Sequence, residues 1–460
     1  MPRPGSDIVD SMLTKRHRHP TRPGTECHRD PGPAAGPLAR PVGALGLALA
    51  LGVSACSSSV APTTPTAGSS TGSAASTSSA GTAGKAAGTT TAPTGTPTST
   101  PTGSAGAGSA GRTVSIVVAG DILLHPGLTR QAAADAKAEP AGAAHGLNFR
   151  PLLKAAQPYV SGADLAFCNM ETPLAPPGGP YSGYPVFSVP QEILPALKDT
   201  GFDACTTASN HAMDQGAKGI DRMLGAMDAI GLKHAGTART AQEAGQLTTF
   251  DVKGVKVALL AYGYGLNGFQ LPKDQPWAVN LIDIPKMLAD AKAARAAGAR
   301  IVAVAVHGGD EYVQSPNAQQ RAVAKALAES GDVDLIYGHH VHVLQPVDRI
   351  ADVWVAYGMA NMVSTQHLLA KLSMTQAEAM AKFTFTEQPD GRFRATAAEV
   401  RPGAMSFMTE TLRYVDLPTL LADPKLPAAR RAAYQALYDR SVKALLALGA
   451  DQKGLTVVRP

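Results

Sequence analysis

VDLIYGHHVHVLQPV, residues 333–347, holds the reading on which the fold turns. An apolar run of strand length ends at Gly338 and is followed at once by His339, His340 and His342. Histidines crowded directly after an apolar strand are costly to bury unless something coordinates them. His340 and His342 alternate with Val341, so an extended chain sets both on one face, where two imidazoles form a metal clamp. A strand that ends in ligand-type side chains points to an α/β fold, in which ligands collect outside the carboxyl ends of the strands.

Further runs of strand length lie on either side: VSIVVAG (114–120), DLAFCN (164–169), DACTTAS (203–209), VKVALLAY (255–262), IVAVAVHG (301–308) and VWVAYG (353–358). Amphipathic stretches at 151–160, 191–201, 219–231, 285–298 and 318–331 separate them, and this alternation predicts α/β. Several strands end as the histidine strand does. Asp121 closes the first, with His125 in the next loop, and Asn169 and Glu171 close the second. Asn210, His211 and Asp214 follow the third, and His307 precedes Glu311 and Tyr312. Taken singly, each is explained by a helix cap, a turn or a core histidine. Together, Asp121, Glu171, Asn210, His307, His340 and His342 mix oxygen and nitrogen donors, which suit Mn, Fe or Zn better than Ca or Mg. The set predicts a divalent-metal site of two ions, about 3.5–4 Å apart, able to hold an attacking water and a leaving oxygen. His211 and Asp214 are the catalytic candidates, His211 as donor to a leaving group. Asn169, His339, Glu311 and Tyr312 are the expected substrate contacts.

At these residues the chain resembles the CapA family of poly-gamma-glutamate capsule proteins, a branch of the calcineurin-like metallophosphatase superfamily. The matching pieces run in family order: Gly120-Asp121, NMETPL from Asn169, SNHAMDQG from Ser209, VHGGDEY from Val306 and GHHVHVLQPV from Gly338, with YGMANMV from Tyr357 a looser match. Gly308 replaces a usual Trp, Ala360 and Met362 depart from the final motif, and the superfamily's opening Asp-x-His is reduced to Gly-Asp. The resemblance spans residues 114–365. It implies a metallophosphatase-like β-sandwich flanked by helices over 113–400, with 401–460 as a helical extension packed on the same domain. It also implies a part in synthesis or export of poly-gamma-glutamate or a similar capsule polymer, with a metal-dependent, phosphoesterase-like hydrolase site. An anionic polymer or phosphoester is the substrate class, and membrane-bound synthase subunits are the partners. Two alternatives stand beside it: a non-catalytic module that binds polymer or a partner, and a metallophosphoesterase acting on nucleotides or cell-wall phosphates.

The N-terminal quarter has a different texture. Of 460 residues 44% are apolar but only 17% charged, because Ser, Thr, Ala, Gly and Pro fill residues 56–112. That segment lacks the bulky apolar residues a core needs and is expected to be a disordered linker. Before it, a basic leader precedes the uncharged run 42–55, shorter than the roughly 20 residues that span a bilayer. Residues 1–55 therefore read as a signal peptide, ending in Val53-Ser54-Ala55-Cys56, a lipobox with Cys56 as the lipidated residue. The expected location is extracytoplasmic, held to the membrane by a lipid anchor. The leader accounts for much of the positive charge, so no nucleic-acid partner is expected.

Three features complete the reading. Cys168 and Cys205 lie on candidate strands and either pair or remain buried thiols. Residues 263–268 spell G-x-G-x-x-G after a strand, but FQLPKDQPW follows where a dinucleotide site needs a helix, so the stretch reads as a plain loop. Residues 382–400 read as a hairpin around Pro389-Asp390-Gly391, and helical sequence fills 428–449.

Overall fold

A computed structural model describes residues 111–368, 374–409 and 411–460; the leader, Cys56 and nearly all of the linker lie outside them. The period-2 alternation of the strands builds two cores. In IVAVAVH (301–307), Ile301, Ala303 and Ala305 enter a cluster that also holds Val114, Ile116 and Phe167. Val302, Val304 and Val306 point the other way, into a second cluster with Met287, Ala291 and Leu327 of the flanking helices Ile284–Ala296 and Ala318–Glu329. A strand buried on both faces reads as a continuous apolar run. Each Val or Ile so buried contributes about 1.5–3 kcal/mol relative to exposure.

The strands, in chain order, are β1 (Thr113–Ile122), β2 (Leu165–Met170), β3 (Ala204–Thr206), β4 (Lys233–Ala235), β5 (Thr248–Val252), β6 (Val255–Gly263) and β7 (Ile301–His307). They continue with β8 (Leu335–His339), β9 (Val347–Ile350), β10 (Val353–Ala356), β11 (Ala377–Glu387), β12 (Phe393–Met405), β13 (Tyr414–Asp416) and β14 (Leu455–Val457). One sheet has the order β13-β12-β11-β1-β2-β3-β4, with β14 beside β12; the other has β5-β6-β7-β8-β10-β9. β1 to β4 are mutually parallel, as are β6, β7 and β8. The result is an α/β fold of two mixed sheets packed face to face with helices outside, a metallophosphatase-like arrangement.

All seven strands read from the sequence are present, and the hairpin appears as β11 and β12. The short strands β4, β5, β9, β13 and β14 were not read from the sequence. β13 and β14 lie in the stretch expected to be helical, where they extend the first sheet beside the helices Leu417–Ala422 and Ala428–Leu445. The helix expected over 151–160 splits into turns at Arg150–Leu153 and Gln157–Val160, the second with Pro in its first turn. Cys168 and Cys205 face each other on adjacent parallel strands and form a disulfide.

Two glycines let the strand ends close up where the candidate ligands begin. A Cβ on Gly338 would stand 1.9 Å from the Tyr357 carbonyl oxygen, and one on Gly120 2.4 Å from that of Ala360. Side chains at either position would force apart the segments that deliver Asp121 and His339.

Candidate metal centre

The carboxyl ends of β1, β2, β7 and β8 converge on Asp121. Its side chain is fully buried; Oδ1 accepts a hydrogen bond from Asn169 Nδ2 (2.9 Å) and lies 2.8 Å from His339 Nδ1. Oδ2 accepts the backbone N–H of His340 (3.0 Å). Burial alone would raise the Asp121 carboxyl, but His339 first, then His307 and His342, outweigh it and hold the group well below the usual range.

Glu171 has the opposite character. It is buried, neither carboxyl oxygen has a hydrogen-bond partner, and burial followed by the charges of Asp121, Glu311 and Asp214 pushes it well above its ordinary value. Its Oε1 lies 3.8 Å from His342 Nε2. His342 Nδ1 donates to Asn361 Oδ1 (2.8 Å), and Asn361 Nδ2 donates to Gln366 Oε1 (2.9 Å). Because an amide oxygen only accepts, the proton sits on Nδ1 and the Nε2 lone pair is left for a ligand.

Two groups of donor atoms follow, each within 4.8 Å: Asp121 with Glu171 and His342, and Glu311 with His340 and His342. The two orphaned oxygens of Glu171 and the unpartnered, buried Nδ1 of His340 need a counter-group, and a divalent cation among these carboxylates and imidazoles supplies one. The donors present fit such an ion. Burial, helped by His342, lowers His340 to about 4, so the imidazole is neutral and ligand-ready at neutral pH.

The route by which His340 and His342 meet differs from the sequence expectation. The chain between them is not extended: φ is +86° at His340 and +57° at His342. Two left-handed residues, rather than strand alternation, turn both rings to one space. Such conformations are strained for non-glycine residues and mark sites where surrounding structure dictates geometry.

The remaining expected site residues fall into distinct places. His307 Nε2 lies 2.8 Å from Asn210 Oδ1 and its Nδ1 3.3 Å from Asn169 Nδ2, while burial keeps the ring well below its ordinary pKa. Asn210 and His307 thus face each other; His307 is in neither group of His and carboxylate donors, and its ring centroid is 5.1 Å from that of His340. Asn169 and His339, expected to touch substrate, are buried: Asn169 faces Asp121, His307 and the Thr206 hydroxyl, and His339 sets Nδ1 beside Asp121 while its Nε2 has no hydrogen-bond partner. Both side chains support Asp121 in this arrangement. Glu311, also expected at the substrate, is a donor of the second metal group. Tyr312 lies over His342 with ring centroids 5.9 Å apart.

His211 and Asp214 form a pair, Nδ1 to Oδ2 at 2.8 Å, and the same oxygen accepts the Phe187 backbone N–H (2.7 Å). Asn267, left-handed at φ +50°, places Nδ2 3.5 Å from both His211 ring nitrogens and accepts from Asn210. His125 accepts the Thr365 backbone N–H on Nδ1, and burial lowers its pKa to about 4. Asn361, Tyr264 and Asn267 were not assigned from the sequence. Tyr264 and Asn267 belong to the glycine-rich stretch after β6, where no helix opens until Ile284; Tyr264 stacks on His340 with centroids 4.4 Å apart.

Comparison with known proteins places the chain in a family. The chain is similar to the capsule biosynthesis protein CapA of Bacillus anthracis, 32% identical over 182 residues that make up 39% of this chain and 44% of that protein. It is similar to the PGA biosynthesis protein CapA of Bacillus subtilis (strain 168), 31% identical over 215 residues, 46% of this chain and 54% of that protein. The match therefore spans about half the length of these curated relatives. Among solved structures, the calcineurin-like phosphoesterase YfkN from Bacillus subtilis aligns with 72% of this chain and 98% of its own, at 13% identity and a TM-score of 0.37. The family model described as bacterial capsule synthesis protein PGA_cap matches residues 115–366, more than half of the sequence and all of the strands that build the centre, and the chain belongs to that family.

Proposed function

We propose that this protein is an extracytoplasmic, metal-dependent hydrolase of phosphoester bonds that serves capsule-polymer assembly, tethered through a lipid on Cys56. The observation that carries the reading is Glu171, a buried carboxylate with no hydrogen-bond partner, set beside Asp121 and the free Nε2 of His342. Asp121, Glu171 and His342 would hold a divalent ion, with His340 and Glu311 as further donors. Such an ion supplies Lewis-acid stabilisation of a phosphoryl oxygen and a more acidic bound water.

The chain's own groups supply the rest. Asp214 Oδ2 accepts a hydrogen bond from His211 Nδ1–H and fixes the ring, so that Nε2 is the atom that hands over a proton. Hydrolysis adds the water oxygen to phosphorus and breaks the ester P–O bond; the departing oxygen takes its proton from His211 Nε2, and the proton released by the attacking water returns through solvent to that nitrogen. Asn210 and Asn267 pin the approach to that ring, and Tyr264 and Tyr312 cover two imidazole faces and limit access of bulk water. The capsule assignment draws on the names of the two Bacillus relatives.

The test is metal analysis of the purified full chain, followed by nitrophenol release from bis(4-nitrophenyl) phosphate. His342→Ala is expected to lose metal and turnover together. His211→Ala is expected to keep metal and lose roughly 10²–10⁴-fold in rate. Metal-replete protein with no turnover favours a second reading, a polymer-binding member without catalysis. Leu123 speaks for that reading: it stands two positions beyond Asp121, where a second ligand of β1 would project, and is apolar and buried.

A further inference from the structure

Large apolar side chains are exposed in only one region of the described surface. Tyr184 and Val186 protrude from the loop after β2, Tyr264 and Phe269 from the loop after β6, and Tyr312 and Val313 from the loop after β7. The other three, Leu368, Met374 and Met408, lie on the segments after β10 and β12. Every one of these loops reaches the metal centre or its supports. Glu171 heads the first, Tyr264 stacks on His340, and Tyr312 covers His342. Tyr312 also meets Gln366, which is bonded to Asn361, and His367 meets the Ser406 backbone. Phe187, on the first loop, packs edge-on against His211 with ring centroids 4.8 Å apart, so that loop also reaches the flank of the centre. The exposed apolar residues form a collar on the loops around the centre, and a patch of this kind marks a binding surface.

The collar carries almost no positive charge. Residues 171–192 contain no Lys or Arg, and residues 264–283 and 308–317 offer Lys273 against Asp274, Asp283, Asp310 and Glu311. Arg413, on the loop after β12, is occupied by Asp135. Among the described residues of the rim, acidic side chains outnumber Lys and Arg, so a free polyanion finds little counter-charge there. A second copy docked collar to collar would close both centres at once. The pairing of chemistries is that of an amphiphile: a centre that takes an anionic head, ringed by side chains that take apolar chain. Tyrosine at the loop tips suits a bilayer interface, where its ring lies in the apolar layer and its hydroxyl in the wet one.

We propose that the collar docks on a lipid bilayer and that the centre's substrate is a phosphoester carried on a membrane-embedded apolar chain; the substrate clause rests on the phosphoester reading above. The experiment uses the full chain bearing Cys56→Ser, so that acylation is removed and the apolar run 42–55 contributes equally to every sample. The probe is phosphatidylcholine vesicles containing a nitrophenyl phosphodiester of diacylglycerol. Tyr184→Ser, Phe269→Ser and Leu368→Ser are combined in one variant, at exposed tips that hold no ligand. Vesicle affinity is expected to fall roughly tenfold or more, and hydrolysis of the vesicle-borne ester to fall with it, while turnover of the water-soluble diester is unchanged. Equal vesicle binding by variant and parent overturns the proposal. So does a parent that runs as a dimer which the variant breaks, because a second copy is then the occupant. If the vesicle difference persists while neither ester is cleaved, docking stands and the phosphoester clause falls.

Discussion

At the scale of single residues, the centre depends on groups that never touch an ion. Asn361 fixes the proton of His342 on Nδ1 and so frees Nε2, and Gln366 holds Asn361 in turn. Partners of this kind typically account for 10–100-fold in metal affinity. Asn361→Ala is therefore expected to weaken metal binding by about that factor while leaving the fold intact, as read by competition with a chelator and by circular dichroism; unchanged affinity would remove Asn361 from the site. The sequence displayed the ligand types clearly, because Asp, Glu and His after apolar strands have few other reasons to be there. It did not display direction. His339 and Asn169 stand in the same motifs as true donors, yet their side chains turn inward to Asp121. Nothing in the order of letters reveals that His340 and His342 are left-handed. Asn361 lies inside YGMANMV, the loosest of the matching pieces, and nothing in the sequence pairs it with His342.

At the scale of elements, the parallel strands were legible and the edges were not. β1, β7 and β8 are long apolar runs with a polar residue at the carboxyl end, a pattern with one ready explanation. β4, β13 and β14 span three residues each, too few for any periodicity, and owe their existence to a neighbouring strand that offers free backbone groups. The disulfide belongs to this scale too, since sequence spacing left Cys168 and Cys205 open until β2 and β3 proved adjacent in register. It closes a separation of 37 residues, which by loop-closure entropy is worth about 3–4 kcal/mol. Replacing both cysteines by Ala should lower the free energy of unfolding by roughly that amount in a denaturant titration. Because Asn169 directly follows Cys168, metal affinity of the same variant reports whether the bond also steadies the centre.

At the scale of the whole molecule, stability should depend on pH through a group that belongs to neither donor set. Glu378 of β11 is wholly buried; burial pushes its carboxyl well above the ordinary range, and contact with Tyr414 offsets this only in part. The folded chain thus holds this proton more tightly than the unfolded chain. The associated stability is fully present below the unfolded value, about 4.3, and is lost as pH rises toward the folded one, at no more than about 1.4 kcal/mol per pH unit. Glu378→Gln should remove that slope, so the melting temperatures of parent and variant should diverge with rising pH; parallel curves would show that Glu378 titrates normally. One last consequence follows from the imidazole common to both donor groups. Nitrogen Nε2 of His342 has a single electron pair, and a pair donated to one cation is withdrawn from the other. The neighbouring nests are therefore rivals for occupancy. Calorimetric titration should show one tight equivalent per polypeptide, with a second entering only where Glu311 and His340 recruit an outside oxygen, such as one brought by the substrate itself.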